Sequence, residues 1–450
     1  LSDFAEISEQ ARQIFANKIS EYRKNINKLI TISNKNAGKV LMQQVNTTIN
    51  CEPKVAFKVI DIIKLANVDI EDDKKIDIDG IKNRTLDSIG IAEDEITKGN
   101  YKTYKDALNK FWVELYNEIN SKYKTKEELL GFYKTLIGKI SELGKTKQTD
   151  FSPETSIVTD FTALQWLITN TITDPVEVDK KYDKIRKSEK FKKIIPFFTQ
   201  EMILKSLYVQ AKNSDFINDV LDEIHAAFKE EIKNSSADDS DKAYMEYRLP
   251  LFNYYHIDGI AGAGKTELMR MVEDMLKEDG DVKVLYAATS KEHLNKDILP
   301  RFEAEESAGM TIDEILKVIL GDDYDGDVDK YSVFENSHRT LKKEVKDKLE
   351  QKLNDGSLED IFDKSYNGKR VLFIDEDGFL NQAQLEALTK YAKKYNINII
   401  GSGDTTQNGA VIKGTKSGLT EDFISWSSPF LTVSMRTNNN GQKNNQEKLF

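Results

Sequence analysis

A segment of eight residues in the second half of the chain constrains its fold more than any other. They run from Gly259 to Thr266 as GIAGAGKT and fit the pattern G-x-x-x-x-G-K-[ST] at every specified position. An extended apolar run from Leu251 to Ile257 precedes them, and apolar residues at helical spacing come after them from Leu268 to Leu276. A strand, a glycine-rich turn and a helix start together aim backbone N–H groups at an anion. The segment therefore predicts a phosphate-binding loop.

Composition narrows the class of protein. Acidic residues outnumber basic ones by 76 to 65, so any contact with nucleic acid needs a local basic patch rather than the whole surface. The single cysteine, Cys51, excludes an intrachain disulfide and indicates a reducing, cytoplasmic compartment. No apolar run reaches the length of a membrane span, and no signal peptide is visible. The histidines are scattered and suggest no metal cluster.

The patterning divides the chain into a helical part and an α/β part. Residues 1–150 read as a helical region and residues 151–240 as a helical region and linker, the linker being the polar stretch 233–241. A continuous apolar stripe runs through residues 4–29. Further helices are predicted near 53–67, 101–120, 125–143, 157–171 and 198–232, with the acidic stretch 69–79 as a connection.

Residues 241–450 alternate short apolar runs with helical stretches. The runs lie at 251–258, 282–288, 371–375 and 397–401. This alternation predicts an α/β fold with a parallel sheet flanked by helices, preceded by the large, mostly α-helical region. Residues 321–370 read as an acidic loop and a charged helix, predicted as a peripheral insertion. Asn381, with Gln384 three residues later, predicts a capped helix start.

Two further segments place polar groups at strand ends. Asp375 and Glu376 come directly after the apolar run Val371–Ile374, and ligands bind at the carboxyl edge of such sheets. Asp375 is suited to hold Mg²⁺ opposite Thr266, and Glu376 to act as general base toward water. Asp404 and Gln407 lie in a glycine-rich turn after the run ending at Ile400. A polar turn after a buried strand is the structural alternative for both segments.

Taken in order, these segments resemble the helicases of superfamily 1, and more narrowly their RecD/Dda-like branch. The resemblance spans roughly 250–440 and rests on motif I at Gly259–Thr266, motif Ia at Val284–Ser290, the TIHxLL segment at Ala308–Leu316, motif II at Asp375–Glu376, motif III at Gly403–Gln407 and motif IV at Leu431–Arg436. Asp313 stands where the TIHxLL segment usually has histidine.

The resemblance implies the first RecA-like motor domain of an ATP-dependent helicase, using ATP and Mg²⁺. It assigns catalysis to Lys265, Glu376, Gln407 and Arg436, and the metal to Thr266 and Asp375. The nucleotide-binding residues would be Gly259, Gly262, Ala263, Gly264, Lys265, Thr266 and Asp404. Thr289, Ser290 and Thr311 would contact single-stranded DNA, with RNA left open.

Basic and aromatic residues near these segments are further candidates for strand contact. They are Lys291, Lys296, Arg301, Lys413, Lys416, Tyr286 and Trp426, although solvated lysines and a core aromatic are the alternative. The denser basic cluster at 180–193 favours a charged helix face over a nucleic-acid patch.

Two departures from the family pattern matter. The family places an adenine-reading glutamine shortly before motif I, and none lies between Gln210 and Gly259. Gln165 or Gln200 would serve only across a long insertion and is not expected to do so, which leaves ATP against GTP open. Motifs V and VI belong to a second RecA-like domain, expected beyond Phe450 or on a partner protein.

The amino-acid sequence leaves two other functions open. One is a helicase-derived nucleotide-binding module within a structural or packaged protein, such as a phage virion or cargo component, which would place the chain in a virion interior. The other is a stand-alone ATPase switch that recruits partners through the helical part.

Overall fold

The computed structural model describes residues 53–89, 101–146, 157–192, 198–234, 251–259, 262–335, 338–362 and 366–403. The predicted stripe at 4–29 and most of the predicted linker at 233–241 lie outside these residues. In chain order the main elements are α1 (Pro53–Ala66), α2 (Ile78–Ile89), α3 (Tyr101–Lys122), α4 (Lys126–Thr146), α5 (Ile157–Thr171), α6 (Pro175–Arg186), α7 (Phe198–Lys212), α8 (Ser214–Asn234), β1 (Tyr254–Asp258), α9 (Lys265–Lys277), β2 (Val282–Ala288), β3 (Gly309–Thr311), α10 (Ile312–Leu320), β4 (Ser332–Glu335), β5 (His338–Leu341), α11 (Lys343–Asp355), β6 (Lys369–Asp375), α12 (Gln382–Tyr395) and β7 (Ile397–Gly403).

The helices predicted between residues 53 and 232 are confirmed, with two differences, and α6 is an additional helix that was not among them. The helix expected at 198–232 is two helices, because α7 ends at Lys212 and α8 begins at Ser214. The stretch 69–79, predicted as a connection, already contains the first residues of α2. None of the helices within the described ranges is long and apolar enough to cross a membrane.

Five parallel strands form the central sheet in the order β1-β7-β6-β2-β3. The predicted α/β fold is therefore confirmed. The strand missing from the sequence-based prediction is β3, whose three residues are too few to show an alternating pattern. Because all five strands run the same way, their carboxyl ends meet at one edge. There Ala288 pairs with Thr311, and Asp375 with Ser402.

Both faces of this sheet are buried, and the strands alternate between them with a period of two. Tyr255 of β1 and Phe373 of β6 face one hydrophobic core, whereas Tyr254 and Ile374 face the other. Strands covered on both faces need apolar residues at successive positions. This explains why the sequence shows continuous apolar runs instead of an apolar–polar alternation.

The helical part shares one hydrophobic core with the first face of the sheet. Met271 and Val272 of α9 are fully buried, and they belong to the same cluster as Leu204 and Leu207 of α7. Helix α9 thus lies between the sheet and a second layer made by α6 and α7. Each buried side chain of this size contributes about 1.5–3 kcal/mol of hydrophobic stabilisation. The helical part is therefore packed on the phosphate-loop helix.

Residues 321–362 cover the opposite face. After Tyr324 they form a short helix, the antiparallel β4–β5 pair and α11. Val345, Leu349 and Leu353 recur every four residues on α11 and are buried together with Tyr331 in the second core. The charged helix predicted here is confirmed, and its apolar stripe belongs to the core of the domain.

Three lysines of the basic cluster at 180–193 pair with acids at the end of α9. Lys181 binds Asp279 and Lys184 binds Glu278, while Lys190 Nζ lies 2.9 Å from Asp274 Oδ1. Acidic side chains are unfavourable near a helix C-terminus, where the helix dipole is negative. These lysines offset that repulsion and join the two helical layers. The charged helix face favoured by the sequence is therefore the correct interpretation for these residues.

Removing these ion pairs should weaken the fold measurably. In Lys181→Met/Lys190→Met we expect the free energy of unfolding to fall by about 1 kcal/mol per pair, since the Lys181 and Asp279 side chains are only 18% and 25% exposed. Urea unfolding at low and high salt measures this. Lys192→Met is the matched control, because Lys192 pairs with the exposed Glu189 in its own segment. Equal losses in both variants would contradict the docking role.

Candidate functional site

The phosphate-binding loop has the backbone shape that its glycines predict. Gly262 and Gly264 have φ values of 81° and 83°, in the left-handed region that favours glycine. Gly264 also occupies the N-cap of α9 and supplies no side-chain hydrogen bond there. Gly264 therefore does not occupy the first backbone N–H groups of α9. A helix start that binds an anion needs these N–H groups to be available. Ile260 and Ala261 lie outside the described residues.

Lys265 and the loop entrance are tied to neighbouring strands. The Lys265 Nζ donates to Gly259 O at 2.5 Å. The amide of Gly259 in turn donates to Gly403 O at 3.2 Å, which fastens the end of β1 to the end of β7. Ser402, one residue before Gly403 on β7, donates to Asp375. The loop lysine and the motif II aspartate therefore lie at the same edge of the sheet.

Asp375 is held at the end of β6 by two donors. Ser402 Oγ donates to its Oδ1 at 2.7 Å, and His293 Nε2 lies 3.0 Å from its Oδ2. Burial alone would raise the carboxyl pKa. The hydrogen bonds from His293 and Ser402 and the charges of His293 and Lys265 outweigh that effect, so the pKa lies below its usual value. Asp375 is consequently a carboxylate, the form that a metal ion needs.

His293 is a component of the site that the sequence analysis missed. Its Nδ1 lies 3.0 Å from Asp297 Oδ2, on the side of the ring opposite Asp375. The hydrogen bond with Asp375 and then that with Asp297, opposed by burial, raise the pKa of His293 to about 9. Both ring nitrogens therefore donate, as an imidazolium does. A π-helical turn from Leu294 to Ile298 comes directly after it, a feature common beside functional sites.

Glu376 and Asp377 continue the strand in opposite environments. Glu376 is exposed, with φ 58° and ψ 41°, a left-handed conformation that is unfavourable for a residue with a side chain. Asp377 is completely buried. Glu376 therefore lies at the open end of the strand, where water and ligands have access.

Gln200 reaches the loop from the helical layer. Its Nε2 donates to Ala263 O at 2.7 Å, although the two residues are 63 positions apart. A Cβ atom on Gly264 would lie 3.2 Å from the same nitrogen. Gln200, which was not expected to serve as the adenine-reading glutamine, therefore contacts the phosphate-binding loop. The reason is tertiary: α6 and α7 pack along α9 and bring the start of α7 to the glycines.

The predicted nucleic-acid residues lie side by side at the carboxyl edge, and two of them have local structural roles. Ser290 Oγ accepts from His293 N at 3.2 Å, which caps the short helix after β2. Thr311 Oγ1 accepts from Glu314 N at 3.2 Å and forms a reciprocal capping box at the start of α10. Thr289 is half-buried between β2 and this short helix.

Two further residues singled out in the sequence, Tyr286 and Asp313, have structural roles. Tyr286, considered as a base-stacking residue, is 3% exposed and packs its ring on Phe302 and Phe373, so that interpretation is wrong. Asp313, in the position usual for histidine, accepts a hydrogen bond from Tyr324. Asp404, Gln407, Arg436, Lys413, Lys416 and Trp426 lie outside the described residues.

The donor set of this edge suits Mg²⁺. That ion is bound through one or two protein oxygens, completed by phosphate oxygens and water. The Thr266 hydroxyl lies in the first turn of α9, and the ionised Asp375 carboxylate ends β6. A hydroxyl and a carboxylate at a single sheet edge have the chemistry of such a site.

The ionisation of His293 predicts a pH-dependent stability in metal-free buffer. A pKa raised from 6.5 to about 9 means that its contribution is complete below pH 6.5 and disappears as the pH rises through about 9. His293→Gln should therefore lower the free energy of unfolding at pH 6 and have little effect above pH 9. Urea unfolding across this range tests it. His225→Gln is the control, because His225 lies on α8 and packs its ring on Phe252. A His293 effect that stays constant with pH would contradict the assignment.

Comparison with known proteins agrees with this geometry. A search of curated proteins found no match to the chain. Residues 253–449 match the family model described as "AAA domain". That range begins at β1 and includes the glycine loop, Asp375, Glu376 and the whole parallel sheet. Residues 253–449 are thus similar to an AAA domain, and the described part of this range has the parallel sheet flanked by helices of a P-loop fold, preceded by a helical region.

Proposed function

We propose that this domain hydrolyses ATP with Mg²⁺ as the first motor domain of a helicase-like enzyme that contacts single-stranded DNA. The observation that carries the proposal is that Lys265 and Asp375 are both tied to the end of β7, through Gly259–Gly403 and through Ser402, next to the exposed Glu376. A phosphate loop alone would support binding only. A loop facing a fixed carboxylate and an exposed acid supports hydrolysis.

Each residue has a separable task in this reaction. Lys265 would neutralise the β- and γ-phosphates, and the amides at the start of α9 would hold their oxygens. Thr266 and Asp375 would bind Mg²⁺, which supplies charge neutralisation at the phosphates when bound. Glu376 would accept the proton of the attacking water. By resemblance, Gln407 and Arg436 would contact the γ-phosphate.

Gln200 is proposed to take the part of the family's adenine-reading glutamine. An amide offers one donor and one acceptor, which match the N6 amino group and N7 of adenine. Guanine presents an acceptor in place of that amino group and fits less well. The bond between Gln200 Nε2 and Ala263 O holds this side chain beside the loop, so ATP would be preferred over GTP.

The proposed path for single-stranded nucleic acid crosses the ends of β2 and β3. Thr289 and Ser290 leave β2 next to Thr311, since Ala288 and Thr311 are paired. Lys291 and Arg301 add positive charge on the next segment, and phosphate contacts of this kind need no base sequence. DNA is favoured by the helicase resemblance, with RNA as an outcome of the test.

A nucleotide-binding module without motor activity, in a structural or packaged protein, is the second candidate. One observation favours it: three lysines of the densest basic cluster, Lys181, Lys184 and Lys190, are engaged in ion pairs with acids at the end of α9. ATP turnover indifferent to both DNA and RNA would support this alternative.

Glu376→Gln tests the hydrolysis proposal. We expect the turnover of ATP to fall by about 10²–10⁴-fold because the general base is lost, while the affinity for a fluorescent ATP analogue stays unchanged. Single-stranded DNA should accelerate the wild-type reaction. Glu386→Gln is the matched control, since Glu386 pairs with Lys346 on the surface of α12. ATP turnover at the wild-type rate in Glu376→Gln would contradict the proposal.

Gln200→Ala tests the proposed nucleotide preference. We expect the affinity for ATP to fall about tenfold, as loss of a hydrogen-bonding group to a ligand predicts, and the affinity for GTP to change less. Titration with fluorescent nucleotides measures both constants. Gln210→Ala is the control, because Gln210 is buried on the same helix and bonds to Ser206 within it. Equal losses for ATP and GTP would contradict the adenine-reading role.

A further inference from the structure

A buried polar cluster lies directly behind the candidate general base. Asp377, the residue after Glu376, is completely buried, and its Oδ2 accepts from Tyr254 Oη at 2.9 Å. The same oxygen lies 2.7 Å from His256 Nδ1. Tyr254 and His256 project from one face of β1, two residues apart. We call Asp377, Tyr254 and His256 the Asp377 cluster.

Strand β7 lies between β1 and β6, and its glycines leave room for the Asp377 carboxylate. A Cβ atom on Gly401 would overlap Asp377 Oδ2, and one on Gly403 would lie 2.5 Å from Oδ1. Contacts this short do not occur, so any side chain at these positions of β7 would expel the carboxylate. The glycine of motif III is therefore explained here by Asp377, and the cluster joins β1, β7 and the end of β6.

Stability alone does not account for this arrangement. No donor among the described residues reaches Asp377 Oδ1, although the atom is buried. Leaving a buried polar atom without a partner costs about 1–3 kcal/mol, and more for a charged one. Apolar residues of similar size often serve a core equally well. A polar cluster here thus points to a role beyond packing.

The residue that needs support is the neighbour of Asp377. Glu376 adopts a left-handed backbone conformation, which costs about 1–2 kcal/mol and persists only where the surroundings impose it. Two backbone bonds close the turn after it: Phe379 N donates to Glu376 O at 3.1 Å, and Leu380 N donates to Asp377 O at 3.0 Å. The anchored Asp377 side chain fixes the same turn from the inside.

We propose, on the basis of the hydrolysis proposed above, that the Asp377 cluster is a positioning device for Glu376. It holds the turn that carries the general base and ties it to β1, the strand that leads into the phosphate loop. His256 is three residues before Gly259. Asp377, Tyr254 and His256 do not touch the reacting atoms; they set where Glu376 stands relative to the γ-phosphate.

The chain offers a matched pair of variants for the test. Tyr254→Phe removes the bond from Tyr254 Oη to Asp377, and Tyr286→Phe removes a bond of the same length, 2.9 Å, from Tyr286 Oη to Glu273 in the other core. Both delete one hydroxyl from a buried tyrosine–carboxylate pair. Steady-state kinetics, nucleotide affinity and hydrogen exchange at Phe379 and Leu380 are measured on each, in the full chain.

We expect Tyr254→Phe to lower kcat about tenfold, with the nucleotide affinity unchanged. A rise in the activation free energy equal to the contribution of about one hydrogen bond has this effect. Exchange of the Phe379 and Leu380 amides should become faster. Tyr286→Phe should leave kcat and this exchange at wild-type values. Asp377→Asn, which keeps the side-chain shape, should act as Tyr254→Phe does.

Other outcomes separate the two proposals. Wild-type kcat and exchange in Tyr254→Phe would overturn the positioning role, and so would equal effects of Tyr254→Phe and Tyr286→Phe. If the wild-type protein binds ATP without hydrolysing it, the proposed function fails. Exchange then decides alone: faster exchange confined to Tyr254→Phe supports the anchoring of the turn, and unchanged exchange overturns it.

Discussion

Parallel strand pairing is the constraint on which the rest of this structure depends. Because β1, β6 and β7 run in one direction, residues far apart in sequence emerge at a common edge. Ser402 meets Asp375 only because their strands are paired in that register. The same pairing aligns Gly401 and Gly403 over the Asp377 side chain. One backbone arrangement thus positions Asp375, the candidate metal ligand, and the residues that support the candidate base.

The second theme is the position of helix α9 between two layers. One side of α9 packs on the sheet, and the other is covered by α7 and bound by lysines of α6. The helix that presents the phosphate loop is therefore also the docking surface of the helical region. Gln200 extends this contact to the glycines themselves. A change of the loop on nucleotide binding would therefore also alter its contact with α7.

Local patterns in the sequence were sufficient for the loop, the apolar strands and the capped start of α12. Asn381 and Gln384 form the expected reciprocal cap, since capping depends on residues three positions apart. Ser402, His293 and Gln200 were not predictable in this way. Their partners are 27, 82 and 63 residues away, and such contacts exist only after the sheet and the helical layers have assembled. Strand β3 was missed because three residues carry no period.

The π-helical turn at Leu294–Ile298 lets the helical residues before it and those after it face different directions. Each residue of an α-helix turns by about 100° around the axis, so the extra residue of a π turn rotates the preceding helical segment relative to the next one. Leu294, Leu299 and Phe302 thereby face the core while His293 faces Asp375. A one-residue deletion in this turn would restore a regular helix. Leu299 and Phe302, which follow the turn, would keep their packing, and the imidazole would turn away from the carboxylate.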